Sequence, residues 1–202
     1  MNQDDYFAEG LDERGGRGRI VTVGWTVRSQ KTGALWAPPK PFEPHQGKPM
    51  SSKSVQFCPA AVDFDRRHFV IPFPMDLTLK FDRQANGQLT LVDADGAQSG
   101  VRQGALRDIM VLHPQAEWRH PERPVMQVIA PYVFVADDPC YIVQSPPYLH
   151  YFPTPRPGVQ ICGRFPIHVW PRPLSWGFEW HDMAKPMTFK RGEPWFYVHF
   201  ET

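Results

Sequence analysis

The sequence predicts an all-β fold, a jelly-roll-like sandwich of many short strands with an extended N-terminal arm. Three observations lead there. Residues 121–202 hold 14 of the 23 prolines; proline fixes φ and removes a backbone donor, so no helix can run through this region. The same stretch holds four of the seven tryptophans and ends in Trp195-Phe196-Tyr197-Val198-His199-Phe200, a run of large β-formers. Short strand-type runs alternate there with turn residues at near-regular spacing, the pattern of a sandwich, jelly roll or barrel.

At 202 residues the chain is sized for one domain with a core of ordinary volume. Residues 1–54 read as the arm, polar and proline-rich, with one strand. Its Arg14-Gly15-Gly16-Arg17-Gly18-Arg19 is a single RGG-like copy; such segments bind nucleic acid when repeated, so it is read as a flexible lead-in. Ile20–Val27 is the first strand. Pro38-Pro39-Lys40-Pro41, with Pro44 and Pro49, is an extended segment that either crosses a neighbouring chain or lies on its own domain.

Residues 55–202 read as the sandwich domain. Phe69–Phe73 and Asp76–Phe81 are strand-like. Asn86-Gly87 is a hairpin turn, and Gln88–Val92 returns from it with Leu89 and Leu91 on one face. Asp95-Gly96 marks another turn, and Gly104–Met110 fits one short helix. Later strands are predicted at Val125–Ile129, Tyr132–Val135, Cys140–Gln144, Val159–Cys162, Pro166–Trp170, Trp176–Trp180, Met187–Lys190 and Trp195–Phe200. Proline and glycine corners separate them, the last being Arg191-Gly192-Glu193-Pro194.

Formal net charge is +1, from 22 basic and 21 acidic side chains. Such a balance gives no long-range field to attract nucleic acid or anionic lipid. No run approaches the roughly 20 apolar residues of a membrane-spanning helix. The start, Met1-Asn2-Gln3-Asp4-Asp5, lacks the basic and apolar regions of a secretory signal. Cys58, Cys140 and Cys162 are widely spaced and are expected to be three buried, reduced thiols.

Jelly rolls host many iron enzymes, which makes the eight histidines candidate ligands. No His-x-His pair of the cupin type occurs. His120-Pro121-Glu122 has the His-x-Glu spacing of an iron oxygenase, but its charged surroundings read as a surface loop. A looser set is His168, His181, Asp182 and His199, on or near three late strands; it would hold iron if those strands are neighbours. Without that convergence each histidine is a packed side chain, and no cofactor is expected. No Gly-x-Ser-x-Gly elbow or phosphate loop is present. Cys162, in an apolar strand, is expected to have a raised pKa and to be inert.

The aromatic cluster is the other candidate. Trp170, Arg172 and Trp176 combine tryptophan with arginine, the composition of an interface hot spot and of a sugar-stacking platform. Phe178 and Trp180, on the strand face shared with Trp176, are read as core.

Three stretches together resemble a known group. They are Cys58-Pro59-Ala60 with Phe69-Val70-Ile71 and Pro74-Met75-Asp76-Leu77; Pro139-Cys140-Tyr141-Ile142-Val143 with Pro146-Pro147-Tyr148 and Pro157-Gly158-Val159; and Lys190-Arg191-Gly192-Glu193-Pro194. Their order over residues 53–201 is similar to that of an uncharacterised family found in tailed bacteriophages of marine bacteria and in some bacteria. The resemblance implies a compact β fold and a virion or auxiliary protein, and transfers no catalytic residue. The expected function is therefore a non-catalytic interaction or structural module, plausibly a phage virion or assembly component. The alternatives are a mononuclear iron oxygenase on a jelly roll and a carbohydrate-binding module. The expected partners are other protein subunits, in a homo-oligomer or larger assembly, with neither nucleic acid nor membrane. The expected location is cytoplasmic, or the virion if phage-encoded.

Overall fold

A computed structural model describes residues 6–9, 20–28, 34–43, 51, 53–96, 99, 101 and 103–202. The RGG-like run at 14–19 lies outside them, as do Pro44 and Pro49. The described elements, in chain order, are β1 (Tyr6–Glu9), β2 (Ile20–Val27), β3 (Lys40–Pro41), α1 (Pro59–Arg67), β4 (Phe69–Pro72), β5 (Leu77–Arg83), β6 (Leu89–Asp93), α2 (Gln103–Ile109), β7 (Met110–Leu112), β8 (Val125–Ala136), β9 (Tyr141–Ser145), β10 (Gly158–Ile161), β11 (Arg164–Pro166), β12 (Pro173–Trp180), β13 (Met187–Phe189) and β14 (Pro194–Glu201). No helix among them is long and apolar enough to cross a membrane.

The strands form three antiparallel sheets. The first runs β1-β2-β8-β12-β10, with β7 also on β8; the second runs β11-β9-β14-β4-β3; the third is β13-β5-β6. From β8 to β14 the chain changes sheet at every step. This alternation between packed layers is the jelly-roll-like trait, and the fold is an all-β sandwich, as the proline and turn spacing predicts.

The register explains the core. Trp176 stands opposite Val128 and Phe178 opposite Met126, so one face of the first sheet is continuously apolar. That face meets the second sheet through Trp176 and Trp195, with ring centroids 5.9 Å apart, and through Phe134 and Phe200 at 5.7 Å. It meets the third sheet through Trp180 and Phe81 at 4.9 Å. Trp176, Trp180 and Trp195 are fully buried. Rings of this size remove roughly 150–250 Å² of surface each from water, which makes them the main favourable contribution to the fold. The hairpin turn falls at Asn86-Gly87 as predicted; Gly87 has φ +82°, a conformation open to glycine.

Three expectations are corrected. Val125–Ile129 and Tyr132–Val135 are one strand, β8, which runs through Pro131. The ladder with β12 shifts register there: Ile129 pairs Ser175 and Val133 pairs Pro173, so three residues of β8 face one of β12. Pro131 lies in that bulge, where its missing donor breaks no ladder bond. Second, Pro166–Trp170 is not a strand. The amides of Val169 and Trp170 both donate to the Pro166 carbonyl, at 3.3 and 2.9 Å, and close a turn.

Third, two of the three cysteines, Cys58 and Cys162, are exposed and only Cys140 is buried. The helix α1 starts at Pro59, where proline at the first helical position costs no hydrogen bond. β2 pairs with β8 and β3 pairs with β4, so described parts of the arm are built into the first two sheets. Trp36 packs on Tyr132 and Trp195, and Tyr132 Oη donates to the Ala37 carbonyl at 2.6 Å. Residues 34–43 thus lie on their own domain.

Candidate functional site

A pocket of about 240 Å³ forms where the chain crosses between the two larger sheets. Cys162-Gly163 carries the chain from β10 to β11, and the Ile167–Trp170 turn carries it back toward β12. Arg172 sits between Pro171 and Pro173, whose fixed φ values hold this segment extended. Its guanidinium stacks over Trp170, with Cζ 4.5 Å from the ring centroid, and Trp170 is 50% exposed.

The walls are apolar, from Phe165, Ile167 and Leu174, the last two buried. Gln144 of β9 also lines the pocket. It is 1% exposed, and its Nε2 has no hydrogen-bond partner. Its backbone amide donates to the Gly163 carbonyl at 2.9 Å, which fixes β9 against the crossing. Among the described lining residues Arg172 is the one permanent charge, with no carboxylate beside it. Partial burial pushes the Cys162 thiol up, so at neutral pH it adds no negative charge, while its exposure leaves it open to reagents.

Of the predicted binding residues, Trp170 and Arg172 therefore meet at one pocket. Trp176 does not: its ring is fully buried and points into the core. Gln144 is the residue that sequence reasoning misses. In Tyr141-Ile142-Val143-Gln144-Ser145 the alternation does not say which face is buried, and an amide reads as solvent-facing.

The pocket borders a second feature, the non-core face of the first sheet. The registers place Val111 opposite Gln127, Gln127 opposite Gly177, and Gly177 opposite Ile161. Ile129 and Val135 on β8 and Val159 on β10 follow on the same face by alternation. Val111, Ile129, Val135, Val159 and Ile161 are between 37% and 50% exposed. A wider groove of about 1160 Å³ lies between the β5–β6 hairpin and the segment from α2 to Glu122, with both signs of charge on its rim.

The four histidine-set residues take separate structural roles. His168 lies in the turn after β11, its Nδ1 3.0 Å from the Cys140 carbonyl oxygen and its ring against Tyr141. His181 Nε2 meets Glu179 Oε1 at 2.9 Å. Asp182 accepts from the Ala184 amide and pairs with Lys185, which together hold its carboxyl below the usual range. His199 lies on β14 with its ring 4.6 Å from that of His68.

His199-Phe200-Glu201 is a second His-x-Glu spacing, beside His120-Pro121-Glu122. His199 Nε2 lies 3.5 Å from Glu201 Oε1, but Glu201 is already engaged by Arg164 Nε at 2.7 Å. Arg164 in turn lies 3.4 Å over the Tyr141 ring. His120 and Glu122 are exposed, and the Glu122 amide donates to His120 Nδ1 at 3.2 Å. Among the described residues, no three His, Cys, Asp or Glu side chains converge in a way that could hold a metal.

The chain matches no protein-family model, no curated protein and no solved structure.

Proposed function

We propose that the protein is a non-catalytic interaction module that joins a larger assembly of protein subunits, in the manner of a phage particle component. One observation carries this reading: five large aliphatic side chains are exposed on one face of a sheet whose other face is the core. Exposed apolar side chains gathered on one face mark an interaction site, whereas singly scattered ones do not. It is bordered by Trp170 and Arg172, residue types that dominate interface energetics. The near-neutral net charge speaks for a protein partner over nucleic acid. The first partner to test is a second copy of the chain.

The test is the solution mass of the full chain by light scattering, from micromolar to millimolar concentration. The wild type should populate a dimer or larger species. Ile129→Lys combined with Val159→Lys should return it to a monomer with an unchanged circular dichroism spectrum. Neither residue lines the pocket, so the two features are tested apart. A wild type that stays monomeric throughout, or a variant that assembles as well as the wild type, overturns the self-assembly reading.

A further inference from the structure

The pocket beside Trp170 is chemically more specific than the apolar face next to it. We propose that it binds a small organic anion: a flat, mostly apolar molecule about one ring in size, with a carboxylate at its outer end and a hydrogen-bond acceptor at its inner end.

Each part of that description answers a feature of the site. At the inner end, Gln144 is almost wholly enclosed and its Nε2 donor is unpaired. A buried donor without a partner is costly, and rotation of the Gln144 side chain, which lines the pocket, would present it to an acceptor on a ligand. Along the walls, Phe165, Ile167 and Leu174 offer apolar surface, and the neutral Gln127 and Ser175 add no charge to compete with Arg172. At the outer end stands Arg172. Among the described residues no carboxylate lies within ion-pair distance of it, and no acidic side chain lines the pocket.

A guanidinium presents parallel donors that match a carboxylate. Trp170 has this cation over its ring, so it positions the charge and is not a bare platform for a sugar. The volume, about 240 Å³, is below the range of roughly 300–1,000 Å³ usual for drug-sized ligands, which sets the one-ring limit. The inference stands on Gln144 and Arg172 and does not depend on whether the sheet face self-associates.

The probe is 4-hydroxybenzoate, titrated into the full chain by calorimetry, with its neutral methyl ester, benzoate and maltotriose beside it. The acid should bind, and the ester should bind about tenfold more weakly. Arg172→Ala should bring the acid down to the level of the ester and leave the ester unchanged. Gln144→Met, which keeps the volume and removes the donor, should abolish the preference for 4-hydroxybenzoate over benzoate. Arg172 is on the surface, so its variant decides the matter even if Gln144→Met fails to fold. Equal affinity for acid and ester, maltotriose binding in place of the acid, or no heat from any probe at millimolar concentration would each overturn the assignment.

Discussion

Arg156 reaches across the chain to the first residues of the last strand. Its Nη1 donates to the Trp195 carbonyl at 2.9 Å and its Nη2 to the Pro194 carbonyl at 3.2 Å. The guanidinium lies over Phe152, Phe189 and Trp176, at 4.5, 5.1 and 5.6 Å from their ring centroids. Burial pushes its pKa down to about 10, with Glu193 acting in the opposite direction, so it stays cationic at neutral pH. One charged group thus fastens the loop before β10 to the start of β14, inside an aromatic shell.

Arg156→Ala should therefore lower stability by about 3 kcal/mol, from two charge-assisted hydrogen bonds of roughly 1.5 kcal/mol each. Arg156→Lys should recover less than half, because an ammonium does not span both carbonyls in the plane of a fork. Urea denaturation measures both. A loss below about 1 kcal/mol for the alanine variant would mean that these bonds are replaced by water without cost.

Gly158 and Gly104 should respond in opposite ways to the same substitution. A Cβ on Gly158 would lie 2.1 Å from the Glu179 carbonyl oxygen and 2.8 Å from Phe178 Cε1, within the β10–β12 ladder. Backbone cannot move aside there as a side chain can, so Gly158→Ala should cost about 3 kcal/mol or leave the protein insoluble. A Cβ on Gly104, in α2, meets nothing within 4 Å. Gly104→Ala should be neutral or stabilise by up to about 1 kcal/mol. Thermal melts of the two variants side by side read the contrast, and similar melting points would contradict the close approach at β10.

Strands were legible where burial follows a period of two. In β12 Trp176, Phe178 and Trp180 alternate with Ser175, Gly177 and Glu179, and the observed burial follows that alternation except at Gly177, which lies under Ile161. Proline misleads at β8: Pro131 divides the predicted strands Val125–Ile129 and Tyr132–Val135, yet a bulge absorbs it. Nothing local marks that outcome, because it depends on what lies opposite. The pocket was half legible. Trp170 and Arg172 declare themselves by composition, whereas Gln144 acquires its role from Gly163 and Phe165, which the fold brings to it. Trp176 shows the limit of composition: the same residue type, six positions from Trp170, is core.

Thiol reactivity should divide two to one. Cys58 and Cys162 are exposed, and Cys140 is fully buried with its pKa pushed up to about 11 by desolvation and the neighbouring Asp137. A thiolate is the reactive species, so Cys140 is shielded both sterically and chemically. Under native conditions a chromogenic disulfide reagent should titrate two equivalents quickly and the third only after denaturation. Three fast equivalents would mean that β9 opens readily at its start.

The contact between His68 and His199 should make stability fall as the pH drops below the ordinary histidine value. His68 ends α1, its Nδ1 2.9 Å from the Phe64 carbonyl oxygen and its ring stacked on Phe64 at 3.7 Å. Burial holds its pKa below the ordinary 6.5, and His199 lowers it further; the Phe64 carbonyl and Asp63 act the other way. Among the described residues, Tyr148 and Tyr197 pack on Phe64, beneath His68, and Glu201 lies beside His199. The two tyrosines have raised pKa values and stay neutral. Glu201 is held below its ordinary 4.5 by Arg164 and stays ionised until more acid conditions. The folded state therefore resists a proton that the unfolded chain accepts below pH 6.5, so stability is complete above that pH and declines as pH falls from it. Urea midpoints measured from pH 7.5 down to about 5 should fall steadily in the wild type. His68→Phe keeps the stacking and removes the titration, and it should flatten that slope. An unchanged slope in this variant would assign the acid sensitivity to another part of the molecule.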